Sequence, residues 1–170
     1  MKFLTLNTTN GRQKEASTIA ASTGAGDSGK IPGLDAQGKL DNSFMPTGIG
    51  AASKVLPAFE ALIAGDFVNV FLDSGTVKVR KADASSNAKP ANGFVTAAVA
   101  SGANATVFYG DLNSFQTGLT AGSDVFLSAT VPGKGTNVIP TTAGNIVQLL
   151  GRATSTTELL VEIQADIELA

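Results

Sequence analysis

The sequence predicts an all-β protein, a small β-sandwich or barrel-like domain over residues 51–170, preceded by an extended N-terminal arm over residues 1–50. Three observations lead there. Phe67-Val-Asn-Val-Phe-Leu72 and Thr76-Val-Lys-Val-Arg-Lys81 flank the turn Asp73-Ser-Gly75, and the second run alternates apolar and charged residues as a half-buried strand does. Beyond residue 51, turn residues recur every ten positions or so between short apolar runs, the rhythm of a sandwich or barrel. Residues 24–50 differ in kind: they are Gly-rich, carry Pro32 and Pro46, and space their apolar residues far apart. Such a stretch buries too little surface to offset the entropy of ordering it.

Taken in order, Phe3 to Leu6 reads as a short strand and Asn10-Gly11 as a turn. Arg12-Gln-Lys-Glu-Ala-Ser-Thr-Ile-Ala-Ala21 has the residues for two turns of helix. In the arm, Ile31, Leu34, Leu40, Phe44, Met45 and Ile49 are expected to be docking anchors on another surface. Leu34 and Leu40 bracket a tight turn in which Gly38 takes positive φ. In the domain, Glu60 to Ala64 is read as extended. Ala82 to Asn92 reads as a polar loop. Strands are expected at Phe94–Val99, Thr106–Tyr109, Val125–Leu127, Ile146–Leu150 and Leu159–Ile163. Ala64-Gly-Asp-Phe-Val echoes Ala121-Gly-Ser-Asp-Val, each a tight turn before an apolar strand.

Composition narrows the chemistry. The chain has no His, so the usual proton shuttle near neutral pH is missing, and no Cys, so thiol nucleophiles and thiolate metal sites are excluded. A net charge of -2 gives no reason to expect nucleic acid as a partner. No apolar run approaches the length needed to cross a membrane, so no membrane partner is expected. Gly24-Ala-Gly-Asp-Ser-Gly-Lys30 approximates a phosphate-binding loop. However, Ile31 stands where the pattern needs Ser or Thr, and Pro32-Gly33 is a poor start to a helix. Asp35 and Asp41 flank a turn without the ligand spacing of a calcium loop. Asp66, Asp73, Asp111 and Asp124 sit in Gly-containing turns, and no spacing pairs two of them as acid and base. Lys78 and Arg80 share a face of their strand, the mark of a solvated face. Glu158, Glu162, Asp166 and Glu168, against Arg152 alone, make the C-terminal stretch an acidic edge. The expectation is a protein that is no enzyme and takes no cofactor or metal.

Two segments carry a family likeness. Gly26-Asp-Ser-Gly-Lys-Ile-Pro-Gly-Leu-Asp-Ala-Gln-Gly-Lys-Leu-Asp-Asn-Ser-Phe-Met-Pro46 resembles a segment common in tailed-bacteriophage virion proteins. The part from Gly133 to Leu160, with Gly144-Asn-Ile-Val-Gln-Leu-Leu-Gly-Arg-Ala153, resembles the closing part of the same proteins. Ala64 to Val70 and Lys78 to Ala84 fit as well. The likeness is to capsid decoration (cement) proteins and to appended domains of head and tail fibres. It implies a virion protein on the outer surface of the capsid, made in the host cytoplasm, a homotrimer whose partners are itself and the major capsid protein, with no catalytic residues to carry over. The alternative it leaves is a fibre protein binding a host-surface carbohydrate. For that role the chain offers only Phe108, Tyr109 and Phe115, and Phe108 reads as core.

Overall fold

The computed structural model describes residues 2–36, 38–45 and 52–170, and it divides the chain into two compact units, residues 1–50 and 51–170. The protein is all-β, built from antiparallel sheets.

In the first unit, strands β1 (Lys2–Asn7) and β2 (Arg12–Ser17) pair antiparallel from Lys2–Ser17 to Asn7–Arg12. Gly11, at φ 68°, closes the turn between them. The helix expected over residues 12–21 does not form. Arg12 to Ala16 are good helix formers in isolation, but pairing with β1 supplies their backbone partners and overrides propensity. Beyond the hairpin, single turns of 3-10 helix lie at Ala25–Asp27 and Asn42–Phe44. One parallel bridge joins Ile19 to Pro32.

In the second unit, strands β3 (Ser53–Pro57), β4 (Phe67–Asp73), β5 (Thr76–Lys81), β6 (Gly93–Val95) and β7 (Asn104–Phe108) form one sheet in the order β3-β7-β6-β4-β5. The β4–β5 hairpin lies where the alternation placed it. Strands β8 (Asp111–Asn113), β9 (Asp124–Leu127), β10 (Gly135–Thr136), β12 (Leu149–Ala153) and β13 (Leu159–Val161) form a second sheet in the order β10-β9-β12-β13-β8. The ribbon of β11 (Ile146–Val147) and β14 (Ile167–Glu168) stands apart from both. Glu60 to Ala64 forms neither helix nor strand: Glu60 lies in a bend and Ala64 in a turn, with Leu62 bridged to Val99 between them.

Three of the expected strands are shorter than the sequence indicated. The run from Phe94 ends at Val95, and the run from Leu159 ends at Val161. The run from Ile146 to Leu150 is broken at Gln148, whose buried side-chain amide accepts from the Ala91 N–H at 2.7 Å and donates to the carbonyls of Ala91 and Gln164, each at 3.0 Å. Both polar atoms of this buried amide are thus satisfied, and it staples the loop before β6 to the second sheet.

At its centre the first sheet is buried on both faces. Phe67 and Phe94, with half-buried Phe108, point into a core shared with Val125, Leu127, Leu150 and Leu159 of the second sheet. Their neighbours Val68, Val95 and Val107 point the other way, into a smaller core with Leu56 and Leu62. This follows from the period of two along a strand: consecutive apolar residues serve opposite faces. The sheet curls around the smaller core until Ala58, just after β3, meets Val79 of β5 through a single parallel bridge. One bridge is no ladder, so the arrangement is sandwich-like and the barrel stays open.

Candidate docking surface

Among the described residues of the first unit, none is buried. The hairpin shows why. Along β1, Phe3 and Thr5 are half-covered on one face, while Leu4 and Leu6 stand out on the other at 65 % and 60 % exposure. An isolated two-stranded hairpin is marginal in water, and this one leaves its apolar face bare.

The sequence-predicted anchors fall on the same unit. Ile31, Leu34 and Met45 are exposed, and Leu40 and Phe44 are half-covered. Ile49 lies outside the described residues. Ile31 and Leu34 come together with Phe3 and Pro32 around a largely apolar groove of about 560 Å³. Their segment is held to the chain after β2 by two backbone bonds: the Ile19 N–H donates to the Ile31 carbonyl at 3.0 Å, and the Gly33 N–H to the Ile19 carbonyl at 2.8 Å. A side chain at position 33 would collide with Thr18, so glycine permits that close approach. Leu4 and Leu6 were not singled out from the sequence. Reading them as exposed requires knowing which face of the hairpin is covered, and alternation alone does not say.

Polar groups shape the rest of the unit. Asp27 accepts the Thr23 N–H at 2.6 Å, the Thr23 hydroxyl at 2.8 Å and the Lys30 ammonium at 2.6 Å. The Lys30 hydrogen bond, followed by those from Thr23, lowers its carboxyl to about 2. Lys30, the residue a phosphate loop would offer to its ligand, is thus engaged by Asp27. Among the described residues no strand runs into Gly24 and no helix leaves Lys30. Hydrogen bonds from the Ser43 hydroxyl and N–H hold the Asp41 carboxyl below its ordinary value.

The second unit has one feature the sequence concealed. Asp66, read as a turn residue, does accept the Ile63 N–H at 2.9 Å. Yet it is completely buried. Lys134 Nζ lies 2.8 Å from its Oδ1, and Lys81 Nζ 3.7 Å from Oδ2. The Lys134 contact is an ion pair by distance but lacks hydrogen-bond alignment, so Oδ1 has no hydrogen-bond partner. The triad links the start of β4, the end of β5 and the turn before β10. The other turn aspartates are surface groups, Asp73 paired with Lys78 at 2.7 Å and Asp124 with Arg152 at 3.0 Å.

Lys78 and Arg80 share a face as expected, but that face is not simply solvated. Arg80 lies 4.2 Å over the Phe71 ring, and Phe59 meets Phe71 edge-on at 5.4 Å. Among the described residues no group of acidic side chains is arranged to hold a metal ion. No helix of the described chain is long and apolar enough to cross a membrane. Comparison with known proteins finds no matching family model, no matching curated protein and no matching solved structure.

Proposed function

We propose that the chain is a structural virion protein, a capsid decoration protein that binds the outer surface of a tailed-phage head and stabilises the shell. In this reading residues 51–170 form a trimeric β-domain, and residues 1–50 dock on the major capsid protein.

The observation that supports it most is the contrast between the units. The second has two apolar cores, whereas the first has no buried residue among those described. Ordering costs about 1–2 kcal/mol of backbone entropy per residue, and burial returns about 25 cal/mol per Å². A unit with no core recovers little of that cost alone. It recovers more once Leu4, Leu6, Ile31, Leu34 and Met45 are covered, and these are the side chains it presents. Three such units on one trimer would turn modest contacts into tight retention through effective concentration. The resemblance of residues 26–46 and 133–160 to virion proteins supplies the partner.

The test is Phe44→Ser with Met45→Ser. The variant should fold its β-domain normally, by circular dichroism, and wash off purified heads that retain the parent chain. Equal retention refutes the docking role. Exposed Tyr109 and Phe115 favour a second reading, a head- or tail-fibre protein binding a host-surface carbohydrate. Phe108, packed on Phe94 with ring centroids 5.7 Å apart, is withdrawn from that role. Hundreds of copies per particle would fit decoration, a few copies a fibre.

A further inference from the structure

A groove of about 420 Å³ opens on the second unit beside edge strand β10. Gln116, Thr130, Val131, Lys134, Gly135 and Thr136 line it. Gln116 is only 3 % exposed. Its Nε2 donates to the Gly65 carbonyl at 2.7 Å, the same oxygen that takes the Asn113 side-chain amide at 3.1 Å. That bond fixes the side chain, and its other end, Oε1, accepts no hydrogen bond from the described residues. Among those residues Asp66 Oδ1 is the one unpartnered side-chain oxygen sealed from solvent, so Gln116 Oε1 is open to the groove. A Cβ at position 135 would stand 3.5 Å from it and 2.6 Å from Val125, and glycine keeps the approach clear. A fixed acceptor left unmatched in an open groove is met by water or by a ligand that displaces it.

The rest of the lining supplies donors. Lys134 Nζ lies 2.8 Å from Asp66 Oδ1 without hydrogen-bond alignment, so its N–H groups are not spent there. Thr136 Oγ1 accepts the Val138 N–H at 3.1 Å and keeps its own O–H to give. Ser128 and Thr130 share one hydroxyl contact at 3.2 Å, which leaves one O–H of the two free. No ionisable side chain other than Lys134 lines the groove, and the Asp66 carboxylate against Lys134 offsets its charge. Lys81, 3.7 Å from the other Asp66 oxygen, does not line it.

A ligand must therefore donate to Gln116 and accept from Lys134 and the hydroxyls. A carboxylate or phosphate only accepts, and it would face the buried Asp66 charge. An ammonium only donates, and it would face Lys134. A peptide has both groups but docks by lengthening a strand edge, and β10 offers just Gly135 and Thr136. A hydroxyl donates and accepts at once. Two adjacent hydroxyls on one ring meet the acceptor and the ammonium together, and the exposed aliphatic side chain of Val131 suits the ring C–H groups. We propose that this groove is a binding site for a neutral sugar residue, held through a pair of adjacent hydroxyls. No aromatic side chain lines it, so a single residue binds weakly and affinity grows by repetition along a glycan or across copies of the chain. Neither Tyr109 nor Phe115 belongs to the lining, and the site holds whether the chain serves as decoration or as a fibre.

The test titrates the isotope-labelled full chain with glucose, galactose, mannose and N-acetylglucosamine, read by amide NMR shifts. At least one sugar should move the backbone amides of Thr130, Lys134, Gly135 and Thr136 and the Gln116 side-chain amide, saturating in the millimolar range. Gln116→Leu should weaken that binding by about tenfold, the loss of one buried hydrogen bond. Val131→Ser, on an exposed position, should weaken it by about threefold, and it keeps the test sound if Gln116→Leu disturbs the turn at Gly65. Tyr109→Ser should leave the titration unchanged. The inference is overturned by no saturable shift at these amides with any of the four sugars, or by shifts centred on Tyr109 or Phe115 instead. Glucuronate bound more tightly than glucose, triglycine moving the same amides as strongly, or parental affinity in both groove variants would also overturn it. A groove that takes no sugar leaves the decoration reading standing, and a chain that ignores purified heads leaves the groove standing.

Discussion

Replacing Lys134 by Met should destabilise the second unit more than replacing Asp66 by Asn, although both remove the same ion pair. The asymmetry comes from where each charge can go. Asp66 is fully enclosed, so its carboxylate is shut off from water. The Lys134 and Lys81 side chains are 27 % and 29 % exposed and can withdraw to solvent on their flexible stems. Lys134→Met leaves the buried carboxylate with the Ile63 N–H and a more distant Lys81. Stranding a buried charge costs about 3–5 kcal/mol, and the remaining lysine should hold this to about 2–3 kcal/mol. Asp66→Asn keeps an oxygen for the Ile63 N–H and frees both lysines, at about 1 kcal/mol. The double variant should be more stable than Lys134→Met alone, because the stranded charge is gone. Urea titration of residues 51–170 at neutral pH measures all three, with the parental slope expected throughout. If Asp66→Asn costs as much as Lys134→Met, the two lysines are not interchangeable with water and the reasoning fails.

Three further outcomes are expected. Gly151→Ala should cost about 3 kcal/mol or more in the same titration, since a Cβ there runs into the Leu160 carbonyl oxygen at a φ of 146°, whereas Gly102→Asn, in an open turn at φ 80°, should stay within about 1 kcal/mol. Residues 51–170 expressed alone should melt cooperatively, and residues 1–50 alone should show no cooperative transition by calorimetry or circular dichroism; a sharp transition in the fragment would show that it needs no partner. Asp27 should titrate near 2 by NMR, and because its carboxyl is depressed from 3.8, its contribution to the Thr23–Lys30 turn is complete above 3.8 and lost as the pH falls through about 2; in Asp27→Asn the Thr23 and Lys30 resonances should lack this dependence.

The larger strands were legible because their signals are local. Phe67 to Lys81 states its own alternation and its own turn. Strand β2 was not, because Arg12 to Ala16 favour helix and only β1 decides otherwise. Strands of two or three residues, such as β8, β10 and β14, have no period to read; their partners define them. The exposed side chains Ile31, Leu34 and Met45 were visible as isolated apolar residues in a Gly-rich stretch. The Asp66 triad was hidden, because Lys134 is remote in sequence and turn aspartates are ordinary.

The two cores differ in when the growing chain can complete them. Every residue of the smaller one lies between Leu56 and Val107, so the curled sheet has its whole interior before the second sheet has been made. The larger one waits for Leu119 to Val161. During synthesis the first sheet can therefore close early, presenting Phe67, Phe94 and Phe108 as a bare aromatic stripe until the later strands arrive. That interval, rather than the finished fold, is when nascent chains made close together are most exposed to sticking to one another.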